Sequence, residues 1–102
     1  MRLVLFFDLP MTTKSDIRIY TMFRKYLIEN GYIMIQYSVY CKILPNRDAA
    51  IKHTGILRKN IPQKGHIRIM VVTEKQFSRM EIIVGGQTNQ EITVNSDCFI
   101  RL

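Results

Sequence analysis

The sequence predicts an α+β domain in which an antiparallel sheet carries its helices on one face. Short runs rich in β-branched and aromatic residues alternate with two segments whose apolar residues recur at helical spacing, in the order β-α-β-β-α-β. The chain has 102 residues, of which 47% are hydrophobic. This composition is sufficient for one domain with a modest core.

The first predicted strand runs from Arg2 to Pro10, and seven of its nine residues are apolar or proline. It is too short for a helix and is ended by Pro10. Its one carboxylate, Asp8, lies at the end of the run, although Asp is rare in strands and costly to bury without a partner. Asp8 therefore either starts a turn with Pro10 or is a functional group, and the residues alone leave both interpretations open.

The first helix is predicted from about Lys14 to Asn30, ending at Gly31. Ser15 is followed three residues later by Arg18 rather than Glu, so no capping box is expected. The possible N-caps are Thr12, Thr13 and Ser15. The apolar stripe expected to face the sheet is Ile19, Met22, Phe23, Tyr26 and Leu27.

Residues 32–43 have a strongly β composition. They predict either two short strands that meet near Tyr37 and Ser38 or one bent strand with a bulge there. The second helix is expected from about Arg47 to Asn60. Its inward residues are predicted to be Ala50, Ile51, Thr54, Leu57 and Ile61, and its outward residues Lys52, His53, Arg58 and Lys59.

The second core strand is predicted over His66–Thr73. One face would carry Ile67, Ile69 and Val71, and the other Arg68, Met70 and Val72. One helical turn is expected between Glu74 and Met80. A short strand over residues 81–84, a polar loop over 85–90 and a last strand over 97–102 complete the prediction.

This order of elements is that of the ferredoxin-like arrangement, two split βαβ units with both helices on one sheet face. The opposite face would be open although it is partly apolar, and such a face rarely stays exposed. A homodimer that packs the two open faces together is the simplest solution. The strands beyond the small sheet would then pair with the edge of the partner's sheet.

The charge of the chain favours a polyanionic partner. Lys and Arg exceed Asp and Glu by 15 to 8, a net charge of +7. No phosphate-binding glycine loop, zinc spacing or nucleophile elbow occurs. The cysteines, Cys41 and Cys98, are interpreted as reduced, buried thiols, which predicts a cytoplasmic location. No apolar run is long enough to cross a membrane.

Four features together resemble a known family. The hydrophobic first strand ends in Asp8, and a helix ending at Gly31 follows. Residues 36–40, Gln-Tyr-Ser-Val-Tyr, match a Gln-x-Ser-Val-aromatic signature, and residues 65–76 match the family's next strand and its exit. Over about residues 2–80, the chain therefore resembles the small CRISPR-associated adaptation proteins, the non-integrase members of the spacer-acquisition pair. Its first strand and its Gly-Gly-Gln-Thr-Asn segment look most like type II systems.

The resemblance implies a homodimer with a ferredoxin-like core over residues 1–80. Residues 81–102 would form a C-terminal strand extension that pairs with the partner chain or the integrase. The resemblance also implies a complex in which two integrase dimers flank one dimer of this protein and hold a prespacer duplex DNA. Some family members are metal-dependent nucleases, and in them the residue that matches Asp8 binds the metal across the dimer axis.

The candidate site follows from this resemblance and from residue chemistry. Asp8 is the expected ligand of Mg²⁺ and the candidate catalytic residue. Ser38 is a candidate contact to phosphate or water. The expected nucleic-acid contacts are Lys14 and Arg18 at the helix start, with Lys75 and Arg79 as substitutes for a basic late loop that this chain lacks. His53 and His66, each without a partner motif, are interpreted as solvated surface residues.

Two functions compete. The favoured one is an architectural subunit of the spacer-acquisition complex that binds duplex DNA through its phosphates, irrespective of sequence. The alternative is a standalone Mg²⁺-dependent endonuclease acting on RNA or duplex DNA, including toxin-like ribonucleases of this fold. A third class, the RNA-recognition module, is disfavoured because its Lys/Arg-Gly-aromatic signature is absent.

Overall fold

The computed structural model describes residues 1–86, which form a four-stranded antiparallel sheet with two long helices and one short helix. The elements in chain order are β1 (Arg2–Asp8), α1 (Lys14–Glu29), β2 (Ile33–Gln36), β3 (Val39–Ile43), α2 (Arg47–Arg58), β4 (His66–Val72) and α3 (Glu74–Ser78). The strand order β2-β3-β1-β4 is that of the ferredoxin-like fold, which confirms the predicted class. The predicted last strand lies outside the described residues.

Strand β1 is central and supplies the middle of the core. It pairs with β3 on one edge and β4 on the other. Leu3 and Leu5 are fully buried on the face that meets α1 and α2, and Phe7 is nearly so. The Phe7 ring centroid lies 5.3 Å from that of Phe23 and 5.7 Å from that of Tyr40. Burying each such side chain stabilises the fold by about 1.5–3 kcal/mol.

Helix α1 begins with a capping box, so the expectation of none is wrong. The Thr13 hydroxyl oxygen accepts from the Asp16 N–H at 3.0 Å, and the Asp16 carboxylate accepts from the Thr13 N–H at 3.2 Å. The Thr12 hydroxyl also donates to this carboxylate, which lowers the pKa of Asp16. The difference arises because the N-cap is Thr13 rather than Ser15, and because Asp16 here has the place of the usual Glu.

The inward faces of the two long helices differ in part from the predicted stripes. On α1, Met22 is 64% exposed and Tyr20 packs against the core instead. On α2, Ile51 is 67% exposed, whereas His53 is half-buried. The α1 residues that are buried or pack against the core are Asp16, Tyr20, Phe23, Tyr26 and Leu27. Phe23, Tyr26 and Leu27 of the predicted stripe are therefore confirmed.

Residues 32–43 form two strands, which decides between the alternatives left open by the sequence. β2 and β3 are joined at Tyr37 and Ser38, and the register shifts within β2, between Met34 and Gln36. Ser38 has a φ of 63°, which costs a non-glycine residue on the order of 1 kcal/mol. The turn is attached to the central strand because the Phe7 N–H donates to the Ser38 carbonyl at 3.0 Å.

Helix α3 lies over one end of the sheet face opposite to α1 and α2. Arg2, which points to that face, is 5% exposed, and its Nε donates to both carboxylate oxygens of Glu74 at 3.0 and 2.8 Å. The guanidinium carbon of Arg2 lies 3.9 Å from the centroid of the Phe77 ring. This ion pair and cation–π contact attach α3 to the end of β1 where the chain starts.

The predicted short strand over residues 81–84 is wrong for the single chain. Ile82, Ile83 and Val84 are 48%, 80% and 90% exposed and lie in no strand. A strand needs the backbone of a neighbour, and the pairings of the described sheet do not include this segment. Its pairing with another chain stays a prediction, as does the division of the chain at residue 80.

Gly65→Ala is expected to destabilise the protein by on the order of 2 kcal/mol. Gly65 has a φ of 86°, and a Cβ there would clash with the Asp8 carbonyl oxygen and with Leu9. Gly55→Ala in α2 is the control, because its Cβ would meet nothing within 4 Å and alanine favours helix. Urea unfolding should show a lower midpoint for the first variant only, and equal midpoints would contradict this assignment.

Candidate functional site

Asp8 ends β1 on the open face, the sheet face opposite to α1 and α2. Its side chain is exposed and belongs to the same alternating set as Val4 and Phe6. Across the β1–β4 pairing its Cα partner is His66, the first residue of β4. Directly opposed residues of antiparallel strands have Cβ atoms about 5 Å apart. The structure therefore brings an exposed carboxylate and an exposed imidazole together at this end of the sheet.

The β2–β3 turn lies beside the same end. In the β1–β3 pairing, Phe6 faces Val39, and the Phe7 N–H bonds to the Ser38 carbonyl. The half-buried Ser38 is therefore next to Phe7, the residue before Asp8, and its backbone is fixed by this bond. The proposed contact of its hydroxyl with phosphate or water stays a prediction.

The four predicted basic contacts fall at opposite ends of the sheet. Lys14 and Arg18 are exposed in the first turns of α1, which follows Asp8 in the chain. Lys75 and Arg79 are exposed on and just after α3, near Arg2. The length of β1, roughly 20 Å for seven residues, separates these two pairs. Only Lys14 and Arg18 belong to the end of the sheet that carries Asp8.

The start of α1 is not an open anion site of the kind expected for Lys14 and Arg18. Thr13 and Asp16 occupy backbone N–H groups of the first turn, and Asp16 already supplies a negative charge there. Phosphate binding at this end would therefore depend on the two basic side chains themselves.

The part of one chain that the structure describes does not complete a magnesium site. Within residues 1–86 no group of three or more His, Cys, Asp or Glu side chains lies close enough to hold a metal. Mg²⁺ is usually held by one or two carboxylates together with water and phosphate oxygens. The exposed Asp8 fits the role of a single ligand, so the site requires a second copy, a bound phosphate or both.

His53 is half-buried and contacts Lys42, so the prediction that it is a solvated, outward-facing residue is wrong. Its Nδ1 lies 3.3 Å from the Lys42 ammonium, which also lies 5.4 Å from the centroid of the Tyr32 ring. Burial lowers the pKa of Lys42, and burial together with the charges of Lys42 and Lys52 lowers the pKa of His53. Burial also raises the pKa of Tyr32 to about 12.

The Lys42–His53 contact lies far from Asp8, because Lys42 faces Leu3 at the other end of β1. His53 therefore has no place in chemistry at Asp8. The histidine that sequence reasoning undervalued is His66, since its proximity to Asp8 depends on the β1–β4 pairing. The sequence did hold a signal, because Asp8 ends one core strand and His66 begins the other. These two residues face each other if the two strands are antiparallel neighbours.

The fold and this end of the sheet define a small ferredoxin-like domain with a partly apolar open face and an exposed carboxylate at the end of its central strand. The profile of the family described as CRISPR associated protein Cas2 matches residues 1–80. The chain belongs to the Cas2 family. No helix within residues 1–86 is long and apolar enough to cross a membrane.

Three relatives support this membership, and each is named CRISPR-associated endoribonuclease Cas2. The protein of Acidovorax ebreus is 50% identical over 96 residues, 94% of each chain. That of Treponema denticola is 48% identical over 98 residues, 93% of this chain and 94% of the relative. That of Streptococcus mutans strain UA159 is 44% identical over 97 residues, 95% of this chain and 87% of the relative. The resemblance to this family is confirmed, and the type II assignment stays a prediction.

Acidification from pH 7.5 to pH 5 is expected to lower the free energy of unfolding, and His53→Gln should remove part of that loss. The pKa of folded His53 lies below its ordinary value of 6.5, so the unfolded chain takes up this proton first as the pH falls. The stabilisation that neutral His53 gives to the folded state is therefore fully present above pH 6.5. It is lost as the pH falls through the lower pKa of the folded protein.

Urea midpoints at several pH values measure the effect. The matched control is His66→Gln, which changes an exposed histidine and should keep the full decline. A decline that is identical in wild type and His53→Gln would contradict the assignment of the effect to the Lys42–His53 contact.

Proposed function

We propose that this protein is the architectural subunit of a CRISPR spacer-acquisition complex. In this proposal one homodimer bridges two integrase dimers and binds prespacer duplex DNA through its phosphates. The observation that carries it is a chain of net charge +7 that exposes Lys14 and Arg18 at the Asp8 end of the sheet. The prespacer, the integrase and the cytoplasmic location are all part of the proposal.

Contacts of Lys and Arg side chains with phosphates neutralise charge without distinguishing the bases. A subunit that binds DNA fragments of arbitrary sequence needs contacts of this type. Because Asp16 and Thr13 cap α1, the Lys14 and Arg18 side chains supply the attraction rather than the helix end. Binding should weaken with salt, and the logarithm of the binding constant should fall linearly with the logarithm of the salt concentration. Each lost phosphate contact should reduce the magnitude of this slope by about one.

The open face supports the homodimer. It contains a groove of about 370 Å³ between the sheet and α3. Its lining residues are mostly apolar and include Val4, Phe6, Val39, Met70, Val72 and Phe77. Phe6 is 38% and Met70 52% exposed in the single chain. A second copy that packs the same face against this one would cover both side chains.

Met70→Glu is expected to shift the protein from dimer to monomer, because it places a charge in the middle of the face that a second copy would bury. Light scattering after size exclusion at several protein concentrations measures the mass. Ile51→Glu is the control, since Ile51 is 67% exposed on α2, on the other side of the sheet. A wild-type protein that is monomeric at all concentrations, or a dimeric Met70→Glu, would overturn the open-face dimer.

The double variant Lys14→Glu, Arg18→Glu is expected to abolish spacer acquisition in cells, whereas Asp8→Ala should acquire normally. Reversing two charges replaces attraction to phosphate by repulsion, while Asp8 is dispensable for an architectural role. Lys25→Glu with Lys52→Glu makes the same change in net charge at exposed helix positions away from the α1 start and should retain acquisition. Sequencing of newly acquired spacers gives the readout.

A metal-dependent nuclease is the second candidate, because the relatives are named endoribonucleases and Asp8 is exposed next to His66. Two Asp8 carboxylates of a dimer, with phosphate oxygens of the substrate, would hold Mg²⁺, which polarises the phosphate and activates water when bound. His66, across from Asp8, is placed to accept a proton.

The nuclease candidate requires Mg²⁺-dependent cleavage by the purified wild-type protein that is lost in Asp8→Asn while the dimer persists. In its toxin-like form, expression of the wild-type protein alone would slow growth. If Asp8→Ala dimerises and binds the integrase but fails in acquisition, the carboxylate is essential and the purely architectural proposal is wrong.

A further inference from the structure

Lys42 and His53 form a half-buried pair that neither proposed function uses. The Lys42 Nζ, on β3, lies 3.3 Å from the His53 Nδ1, on α2. The pair lies on the helix-covered face of the sheet, because Lys42 is directly opposite the buried Leu3 of β1. An amine in contact with an imidazole contains the two parts of an activated nucleophile, a group that attacks and a base that accepts its proton.

The groups around the amine include no carboxylate partner. In the described part of the chain, neither of the ion pairs between side chains includes Lys42. The groups that face it are the apolar Leu3 from β1, His53 from α2 and the Tyr32 ring, whose centroid lies 5.4 Å from Nζ. Tyr26 of α1 interacts with Tyr32 rather than with the amine. The ammonium form therefore lacks the neutralising partner that usually stabilises a lysine away from water.

This environment favours the neutral forms of both side chains. Burial lowers the pKa of Lys42, and burial together with the charges of Lys42 and Lys52 lowers the pKa of His53. The Tyr32 ring attracts the ammonium and limits this effect on Lys42. Near neutral pH, a larger share of Lys42 than of an exposed lysine is the free amine, and His53 is unprotonated and available as a base.

The amine can also be reached from solvent. Lys42 is half-buried, and its side-chain end lies beside the exposed Gly31. A Cβ on Gly31 would lie 3.5 Å from the Lys42 Cε and 3.9 Å from its Nζ. The glycine therefore leaves open the space that a side chain would occupy against the amine, and a small electrophile can approach Nζ from this side.

We propose that Lys42 is a modification site that is acylated by small acyl phosphates, with His53 as the base. The lone pair of Nζ attacks the carbonyl carbon, a C–N bond forms, and the C–O bond to phosphate breaks, so that phosphate leaves with the electron pair. The nitrogen passes one proton to the His53 Nδ1, which releases it to water. Acyl phosphates fit because they are small and anionic, whereas the chain has a net charge of +7. The product is an uncharged amide, so the modification removes one positive charge.

The test uses acetyl phosphate and the full-length protein at pH 8. Mass spectrometry of chymotryptic peptides gives the initial rate of acetylation at each lysine. Lys52 is the reference within the same molecule, because it is exposed and lies on the same helix as His53. We expect Lys42 to react about 10-fold faster than Lys52 in the wild type, and the two rates to be about equal in His53→Asn. Asparagine supplies a hydrogen-bond acceptor near the position of Nδ1 but cannot take up a proton.

The pH dependence of the wild type tests the base without any substitution. The free amine becomes rarer at both lysines as the pH falls, so the ratio of the Lys42 rate to the Lys52 rate reports the protonation of His53. We expect this ratio to fall as the pH is lowered below 6.5, the ordinary pKa of histidine, because protonated His53 cannot accept a proton. In His53→Asn the ratio should not change over the same range.

Equal rates at Lys42 and Lys52 in the wild type overturn the proposal, as does a Lys42 rate that His53→Asn leaves unchanged. A wild-type ratio that is constant between pH 5.5 and pH 7.5 also overturns it. Urea unfolding of the variant shows whether it folds, and if it does not, the wild-type pH profile decides. None of these outcomes bears on the proposed binding of DNA, because the pair lies at the opposite end of β1 from Asp8.

Discussion

Strand β1 has a neighbouring strand on both edges and packed side chains on both faces, and the remaining elements are positioned by it. Leu3, Leu5 and Phe7 fill the layer under α1 and α2. Val4 and Phe6 line the groove on the open face, and Arg2 anchors α3 there. Removing a large side chain from such a central strand costs several kcal/mol, because both packing layers lose contacts. The same strand holds Asp8, so the stability of the core and the placement of the candidate site have one origin.

The two ends of β1 differ in chemical character. At the Arg2 end, the ion pair with Glu74 and the contact with Phe77 are internal and attach α3. At the Asp8 end, the carboxylate is exposed, His66 lies opposite it on β4, and the Tyr37–Ser38 turn is bonded to the preceding residue, Phe7. Polar groups that complete each other within the chain serve stability, whereas exposed ones placed together by three different segments indicate a contact with something else.

The two proposed roles, architecture and metal chemistry, make different demands on the exposed carboxylate of Asp8. Residues 1–86 of one chain offer Mg²⁺ too few ligands to hold it, so in the nuclease proposal the metal would depend on a second copy and on substrate phosphates. Phosphate attraction by Lys14 and Arg18, as proposed, has no such requirement, because each chain carries both side chains. Under the two proposals, this end of the sheet would bind nucleic acid in every chain and would acquire chemistry only in a completed assembly.

The sequence by itself determined the class of fold, the approximate extents of β1, α1, α2 and β4, and the position of Asp8 at the end of a core strand, because these depend on local periodicity and on one residue of unusual type in such a strand. It misassigned Met22, Ile51 and His53, because helical spacing gives the period of a stripe but not its rotation against a twisted sheet. Only the tertiary structure decided that His66 lies opposite Asp8 and that Lys75 and Arg79 lie at the other end of the sheet. Strand pairing brings together residues that are distant in the chain, and no local pattern encodes which strands become neighbours.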